Sequence, residues 1–299
     1  MKSQNKAYLF AIAAILCWST IASAFKLTLQ HLDYLNTLLY SSAVATLVLF
    51  VLLLLQRKTS RIKQLSKKDL IRAALRGALN PFLYYMVLLK AYDLLKAQEA
   101  GTLNYIWPIT LVLLSIPLLK QKIGWLSLLA IFISFSGILV ISTEGRITSL
   151  EFREPLGVLL AVGSSIFWAL YWILNLKDKK DEVLKLFLNF FFGTSMILVW
   201  MLIRGQIILP SLAGVFGTLY IGIFEMGLTF FLWMMGLKYS ENTARVSNLV
   251  YLSPFISLLI IHFAVNEAIL PATIGGLILI VSGILLQHLS RKAKHPIRK

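Results

Sequence analysis

The stretch Tyr40–Leu55, YSSAVATLVLFVLLLL, has no charged residue and none of the alternation of polar with apolar positions that a soluble core would show. Ile274–Leu286, IGGLILIVSGILL, repeats the pattern near the other end of the chain. A helix crosses the hydrocarbon layer with about 20 predominantly apolar residues. On that rule ten segments qualify: 7–29, 35–55, 70–90, 98–119, 123–142, 155–175, 184–203, 212–235, 244–264 and 269–289. The reading is an all-α integral membrane protein with ten transmembrane helices. They leave little material outside the bilayer, so no soluble domain is expected.

Composition agrees. Of the 299 residues 58% are hydrophobic and 14% charged, against roughly a quarter charged in a soluble domain. The mean hydropathy is +0.79. The first span follows Lys2 and Lys6, but it is too long for the apolar core of a signal peptide and a second span follows at once. It is therefore read as retained.

The net charge of +16 is distributed by topology. With a cytoplasmic N-terminus, 23 of the 29 Lys and Arg fall on inner loops and tails, among them Arg57, Lys58, Arg61, Arg76, Lys180, Lys185 and Arg245. Six remain outside: Lys26, Lys90, Lys96, Arg146, Arg153 and Arg204. This is the positive-inside asymmetry, and it places both termini in the cytoplasm of a cell whose inner (plasma) membrane holds the protein. The basic excess thus orients the chain. The expected surroundings are the lipid bilayer and a small-molecule substrate, with no nucleic acid, for a monomer or homodimer.

The chain also repeats itself. Leu16-Cys17-Trp18-Ser19 in the first span matches Ile166-Phe167-Trp168-Ala169 in the sixth, 150 residues on. Trp107-Pro108 in the fourth matches Ser253-Pro254 in the ninth, and Ser136-Gly137-Ile138-Leu139 matches Ser282-Gly283-Ile284-Leu285, both 146 residues on. Five spans per half is an odd number, so the second copy enters the membrane from the opposite face. The halves, 1–146 and 147–299, are read as inverted repeats, an arrangement that allows alternating access.

Several residues are out of place in an apolar span. Glu225 lies mid-span in Ile221-Gly222-Ile223-Phe224-Glu225-Met226-Gly227. A carboxylate at the bilayer centre costs about 2.5–3.5 kcal/mol on insertion scales, so it should face a cavity or a partner. It reads as a counter-charge for a substrate amine, as a proton-coupling site, or as a buried carboxyl bonded to a neighbouring helix. Asn80-Pro81 interrupts the third span, and Asn80 shares a helix face with Tyr84; a packing kink and a binding role both fit. Pro108 and Pro254 interrupt corresponding spans, and paired interruptions point to a transporter's site. Beside them lie Asn104, Tyr105 and Trp107, with Asn248 and Tyr251 in the other half. Trp168, Tyr171, Trp172 and Asn175 form one aromatic face of the sixth span. Rings such as Trp18, Trp107 and Trp168, well inside their spans, pack a core or wall a site for an aromatic or cationic solute.

Other features carry less. His262 reads as a polar residue near the headgroups, and Lys26 and Lys90 as side chains that snorkel outward. Gly214, Gly217, Gly222 and Gly227 allow close helix contact or bending in the eighth span. Cys17 is the single cysteine and the four histidines are scattered, so no metal site or cofactor is expected. No phosphate-binding loop or Ser/His/Asp set appears, and the chain does not read as an enzyme.

The ten short spans, small-residue-rich helix ends and the tryptophan and proline positions resemble the EamA family of the drug/metabolite transporter superfamily. Asn266-Glu267 is similar to that family's acidic position between the ninth and tenth spans, whereas the first half has Gln121, between Lys120 and Lys122. Asn104-Tyr105-Ile106-Trp107-Pro108 resembles the Asn-Tyr-Leu-Trp-Pro run of its aromatic amino-acid exporter branch, with Ile for Leu. That resemblance implies an aromatic-lined central cavity, with Tyr105 and Trp107 in its wall and Tyr84 and Trp168 as companions. The expected activity is export of small amphipathic metabolites, aromatic or large apolar amino acids among them. The rival readings are a multidrug or organic-cation exporter and, in another class, an intramembrane enzyme or lipid-handling protein.

Overall fold

The structure, a computed structural model, describes residues 3–119, 124–146, 154–176, 178, 180–240, 246 and 249–294. The ordered elements among them are all helical. The first half contains α1 (Gln4–Leu29), α2 (Tyr34–Leu55), α3 (Lys67–Gly77), α4 (Tyr84–Leu94), α5 (Ala97–Asn104), α6 (Trp107–Leu119) and α7 (Trp125–Ser142). The second contains α8 (Pro155–Leu176), α9 (Glu182–Arg204), α10 (Leu212–Tyr220), α11 (Leu228–Tyr239), α12 (Ser253–Val265) and α13 (Pro271–Lys294). A kinked stretch joins α3 to α4 (Ala78–Leu83), and a π-helical stretch joins α10 to α11 (Ile221–Gly227).

By length and composition six helical stretches among the described residues are able to cross a membrane: Gln4–Leu29, Tyr34–Leu55, Ala97–Leu118, Pro155–Asn175, Glu182–Arg204 and Leu212–Tyr239. Leu128–Ser142, Leu249–Val265 and Pro271–Leu286 are shorter apolar helices. The span expected over 70–90 falls on α3, the kinked stretch and α4. Lys67, Lys68, Asp69, Arg72 and Arg76 make α3 amphipathic, and the interruption at Asn80 divides the run.

Capping follows the local sequence. Asp33 accepts from the Leu35 and Asn36 N–H groups to start α2, and Ser66 with Asp69 forms a capping box on α3. Gly205, at φ 61°, ends α9 in the left-handed conformation that glycine adopts without strain.

Polarity is distributed as in a body solvated by lipid. Leu55, Trp125, Ile203, Leu209 and Phe263 face outward, while Ser19, Asn36, Thr37, Ser41 and Ser42 are buried. Ser19 and Ser42 bond back to their own helices, Ser19 Oγ to the Ile15 carbonyl at 2.7 Å and Ser42 Oγ to the Leu39 carbonyl at 3.0 Å. Helices from the two halves interleave: α1 packs on α11 and α12, α2 on α9, α4 on α8, and α7 on α13.

Glycine permits the closest of these approaches. A Cβ on Gly193 of α9 would sit 2.5 Å from Pro81 Cδ and 2.7 Å from the Gly77 carbonyl. The α7–α13 contact is self-matching. Gly137 meets Gly276 and Ile280, and Gly283 meets Ala130 and Ser134. Shifting the first set by the 146-residue repeat offset reproduces the second.

At the end of the bundle holding the α2–α3 and α8–α9 connections, ion pairs join the halves. Lys58 Nζ lies 2.5 Å from Asp181 Oδ2, and Arg61 Nη1 lies 3.5 Å from the same oxygen. Lys180 pairs with Asp69 at 2.6 Å. Two cations assigned to loops on sequence are instead buried: Arg76 pairs with Asp178 at 2.9 Å, and Lys185 with Glu182 at 2.7 Å. They are tolerated because each meets a carboxylate and further acceptors, Asn189 Oδ1 for Arg76 and the Asp178 carbonyl for Lys185.

Two outcomes follow from this packing. Gly193→Ala should lower stability by about 1–3 kcal/mol through overpacking against Pro81 and Gly77, read as a fall in thermal unfolding temperature in detergent. Burial of Asp181 works to raise its carboxyl pKa, but the hydrogen bonds from Lys58 and the Leu184 N–H and the charges of Lys58 and Arg61 outweigh it. The group is held below the ordinary carboxylate range. Its stabilisation is therefore complete above the unfolded value of about 3.9 and is lost as pH falls through the lower folded value. The stability difference between wild type and Asp181→Asn should be constant from neutral pH to about pH 5 and vanish in stronger acid.

Candidate functional site

The interruptions organise the centre of the molecule. Asn80 takes an extended conformation (φ −148°, ψ 119°) within the α3–α4 run, where the proline at 81 supplies no N–H to a regular ladder. The stretch Ile221–Gly227 breaks the α10–α11 run without any proline. It begins 143 and ends 144 residues after Ala78–Leu83, so the two halves are broken at matching places. The second matching pair lies at the prolines. α5 ends at Asn104 and α6 begins at Trp107, with Pro108 in its first turn. A short 3₁₀ turn, Leu249–Leu252, precedes α12, and Pro254 again occupies the first turn. π-Helical insertions often mark functional positions because they displace the side chains of one turn from the regular face.

Beside these breaks lies a cavity of about 390 Å³. Trp18, Tyr84, Asn104, Tyr105, Trp107, Trp168, Trp172, Glu225 and Tyr251 line it, as do Pro108 and Pro254. Tyr84 stacks on Trp168 with ring centres 4.7 Å apart, and Trp172 meets Trp168 edge-on at 5.9 Å. Tyr84 donates to Asn104 Oδ1 at 3.3 Å, Asn104 Nδ2 donates to Ser164 at 3.0 Å, and Tyr105 donates to the Val250 carbonyl at 3.0 Å. The last bond joins the two broken segments directly.

Glu225 enters the cavity from the π-helical stretch and is 9% exposed. Tyr85 donates to its Oε1 at 2.9 Å. Its Oε2 is buried and takes no hydrogen bond from the protein. A carboxylate held at one oxygen is oriented, and the other oxygen is left with unmet acceptor capacity inside the protein.

Two sequence candidates lie elsewhere. Asn80 is fully buried beside Tyr171, and Pro81 packs on Gly193; neither lines the cavity. Asn80 and Tyr84 were expected to share a face, but the break turns the residue before Pro81 away from the helix that follows. Within the aromatic face of the sixth span, Trp168 and Trp172 reach the cavity, whereas Tyr171 is turned toward Asn189, which donates to its hydroxyl at 3.3 Å. Asn248 lies outside the described residues, as do Lys120, Gln121 and Lys122. Lining residues not singled out on sequence include Trp233, whose ring centre is 5.3 Å from Trp18, and Tyr92 and Gln98 at one end. Trp233 carries a weak signal, a large ring well inside a span; Gln98 lies between Lys96 and Glu99 at the polar start of a span and carries none.

At that end a hydrogen-bonded latch joins the halves. Asn266, at φ 56°, terminates α12 and sends Glu267 toward α5. The Glu267 carboxylate accepts from the N–H groups of Ala97 (2.9 Å) and Gln98 (3.3 Å), satisfying the positive end of the α5 dipole. Gln98 donates to the Ala268 carbonyl at 2.8 Å and accepts from the Leu270 N–H at 2.9 Å. Lys26, expected to snorkel, donates instead to the Tyr92 and Leu95 carbonyls at the end of α4, at 3.0 and 2.7 Å. Lys90 pairs with Asp93 at 2.6 Å, and His262 Nδ1 lies 3.1 Å from the Glu267 carbonyl. Phe25, Tyr92, Gln98 and Ile261 are buried where the cavity reaches this latch.

Comparison with known proteins agrees with this architecture. The profile of the EamA-like transporter family matches residues 5–143 and again residues 155–287. An uncharacterized transporter of Clostridium kluyveri is 22% identical over 99% of this chain and 97% of its own length. One of Archaeoglobus fulgidus is 23% identical over 94% and 97%, and one of Bacillus subtilis 25% over 78% and 77%. A crystal structure superposes with a TM-score of 0.65 at 22% identity, covering 98% of this chain and 100% of that one, which shows the fold alone. With its apolar outer surface, its buried hydroxyls and two matches to one profile, the chain is a multi-pass membrane protein and a member of the EamA-like transporter family.

Proposed function

We propose that the protein is a secondary transporter that exports small amphipathic metabolites by alternating access. It acts as a monomer or homodimer in the inner (plasma) membrane, with both termini cytoplasmic and ten spans in two inverted five-helix repeats, 1–146 and 147–299. The observation that carries this reading is the cavity at the paired helix interruptions, walled by rings and holding Glu225. Its volume of about 390 Å³ suits one small organic molecule, since ligand pockets run from about 300 to 1,000 Å³.

Three features support the mechanism. Interruptions occur in matched pairs, as in transporters whose halves exchange conformations around a midplane site. The Gly137 and Gly283 contacts interchange under the repeat offset, as a two-fold relation requires. The Glu267–α5 latch closes one end of the cavity through hydrogen bonds between the halves, which are breakable without unfolding a helix.

The substrate reading rests on the lining. Stacked Tyr84 and Trp168, with Trp18, Trp107 and Trp172, accept a flat or branched apolar body. Aromatic and large apolar amino acids meet that description, and the resemblance of Asn104–Pro108 to the exporter branch favours them. The free Oε2 of Glu225 favours a second reading, an organic-cation exporter.

Reconstituted protein should support counterflow of at least one aromatic-bodied solute, and Trp168→Ala should reduce it about tenfold, equivalent to about 1.4 kcal/mol of lost ring contact. No counterflow above empty liposomes for a panel of amino acids, nucleosides and amines would refute the transport reading. Removing the latch should open its end of the cavity. In a Cys17→Ser background, Glu267→Gln should increase labelling of Thr102→Cys by an impermeant maleimide several-fold. Equal labelling with and without the Glu267 carboxylate would exclude the latch as a gate.

A further inference from the structure

Within the reading of this cavity as a substrate site, we infer that its ligand is an organic amine bearing one positive charge and no carboxylate, so that an arylalkylamine binds in preference to the amino acid with the same side chain. The first ground is Glu225. It is more than nine-tenths buried, Tyr85 occupies Oε1 at 2.9 Å, and Oε2 has no protein partner. An ammonium group in the cavity supplies the hydrogen bonds and the opposite charge that this oxygen lacks, and a buried carboxylate gains more from a charged donor than from a neutral one.

The second ground is the remaining charge inventory. Among the described lining residues there is no Lys, Arg or His. The nearby cations are engaged elsewhere: Lys26 on the Tyr92 and Leu95 carbonyls, Lys96 on Glu144 at 2.9 Å, and Arg76 on Asp178 at 2.9 Å. The polar groups are also largely committed, because Tyr84, Asn104, Tyr105 and Gln98 all donate to protein acceptors. The Trp172 indole N–H is free, but it is a neutral donor. A substrate carboxylate would therefore enter a low-dielectric space that already holds one carboxylate and offers it no cation, which disfavours its charged form.

The third ground is the wall. Trp18 and Trp233 are 5.3 Å apart, and Trp168 and Trp172 5.9 Å, so the cavity presents several indole rings. Indole faces attract ammonium groups, most strongly when water is excluded, and they repel anions.

The test is titration calorimetry on the full chain in lipid nanodiscs with matched ligands: tryptamine against tryptophan, phenethylamine against phenylalanine, and indole as the neutral body. Each amine should bind at least about tenfold more tightly than its amino acid. Glu225→Gln should abolish that preference while leaving indole binding unchanged, and Glu225→Asp, which keeps the charge, should retain it even if Glu225→Gln does not fold. Amino acids binding as tightly as the amines would overturn the inference and leave the transport reading intact. Indole matching tryptamine in wild type would overturn the role of the charge. Binding of none of these ligands, together with absence of counterflow, would remove the transport reading as well.

Discussion

Inside hydrocarbon every backbone N–H and C=O needs a partner within the protein, so a broken helix survives only where other helices or a polar cavity cover the break. The architecture of this chain depends on that constraint. Its interruptions at Ala78–Leu83, Tyr105–Ile106, Ile221–Gly227 and Leu249–Leu252 all lie on or beside one central cavity. Helices without such breaks, α1, α2 and α9, run long and present Leu, Ile and Phe to the outside. Rigid helices thus surround a centre in which irregular backbone and polar side chains are stable.

The same constraint explains how the breaks are held. Gly193 takes both the Pro81 ring and the Gly77 carbonyl against its backbone, an approach that only a missing side chain allows. Gly222 fits against Ser41 and Val44 of α2 in the other half, beside the stretch that carries Glu225. Small residues at these contacts replace the hydrophobic driving force, which is weak between helices already solvated by apolar lipid. The Glu267 carboxylate does the corresponding work at the start of α5, using a charge where the helix would otherwise end with unsatisfied N–H groups.

Much of this was legible in the primary structure. Apolar runs marked the spans, and Pro108 and Pro254 marked two of the breaks because proline acts on its own turn. Trp18, Trp107 and Trp168 stood out as large rings far from helix ends, and Glu225 as a lone mid-span acid. The break at Ile221–Gly227 was only half visible, since Gly222 and Gly227 signal bending without saying which turn widens. Asn80 misled because helical spacing was applied across a residue that is extended. Arg76 and Lys185 were read as loop cations: Arg76 is covered because Asp178 reaches it from a connection of the other half, and Lys185 because the Asp178 carbonyl joins Glu182 of its own helix around it.

Sequence alone determined what acts over a few residues: the lipid-facing apolarity of the helices, the charge asymmetry of their connections, the internal repeat and the sites where proline disrupts a helix. The tertiary structure decided which of these features meet. Tyr85 reaches Glu225 across 140 positions of chain and leaves one carboxylate oxygen free. Trp233 closes on Trp18, and Glu267 caps a helix that begins 170 positions earlier. Such meetings depend on the rotation and depth of each helix in the bundle, which packing of small residues across the halves sets and no local pattern encodes.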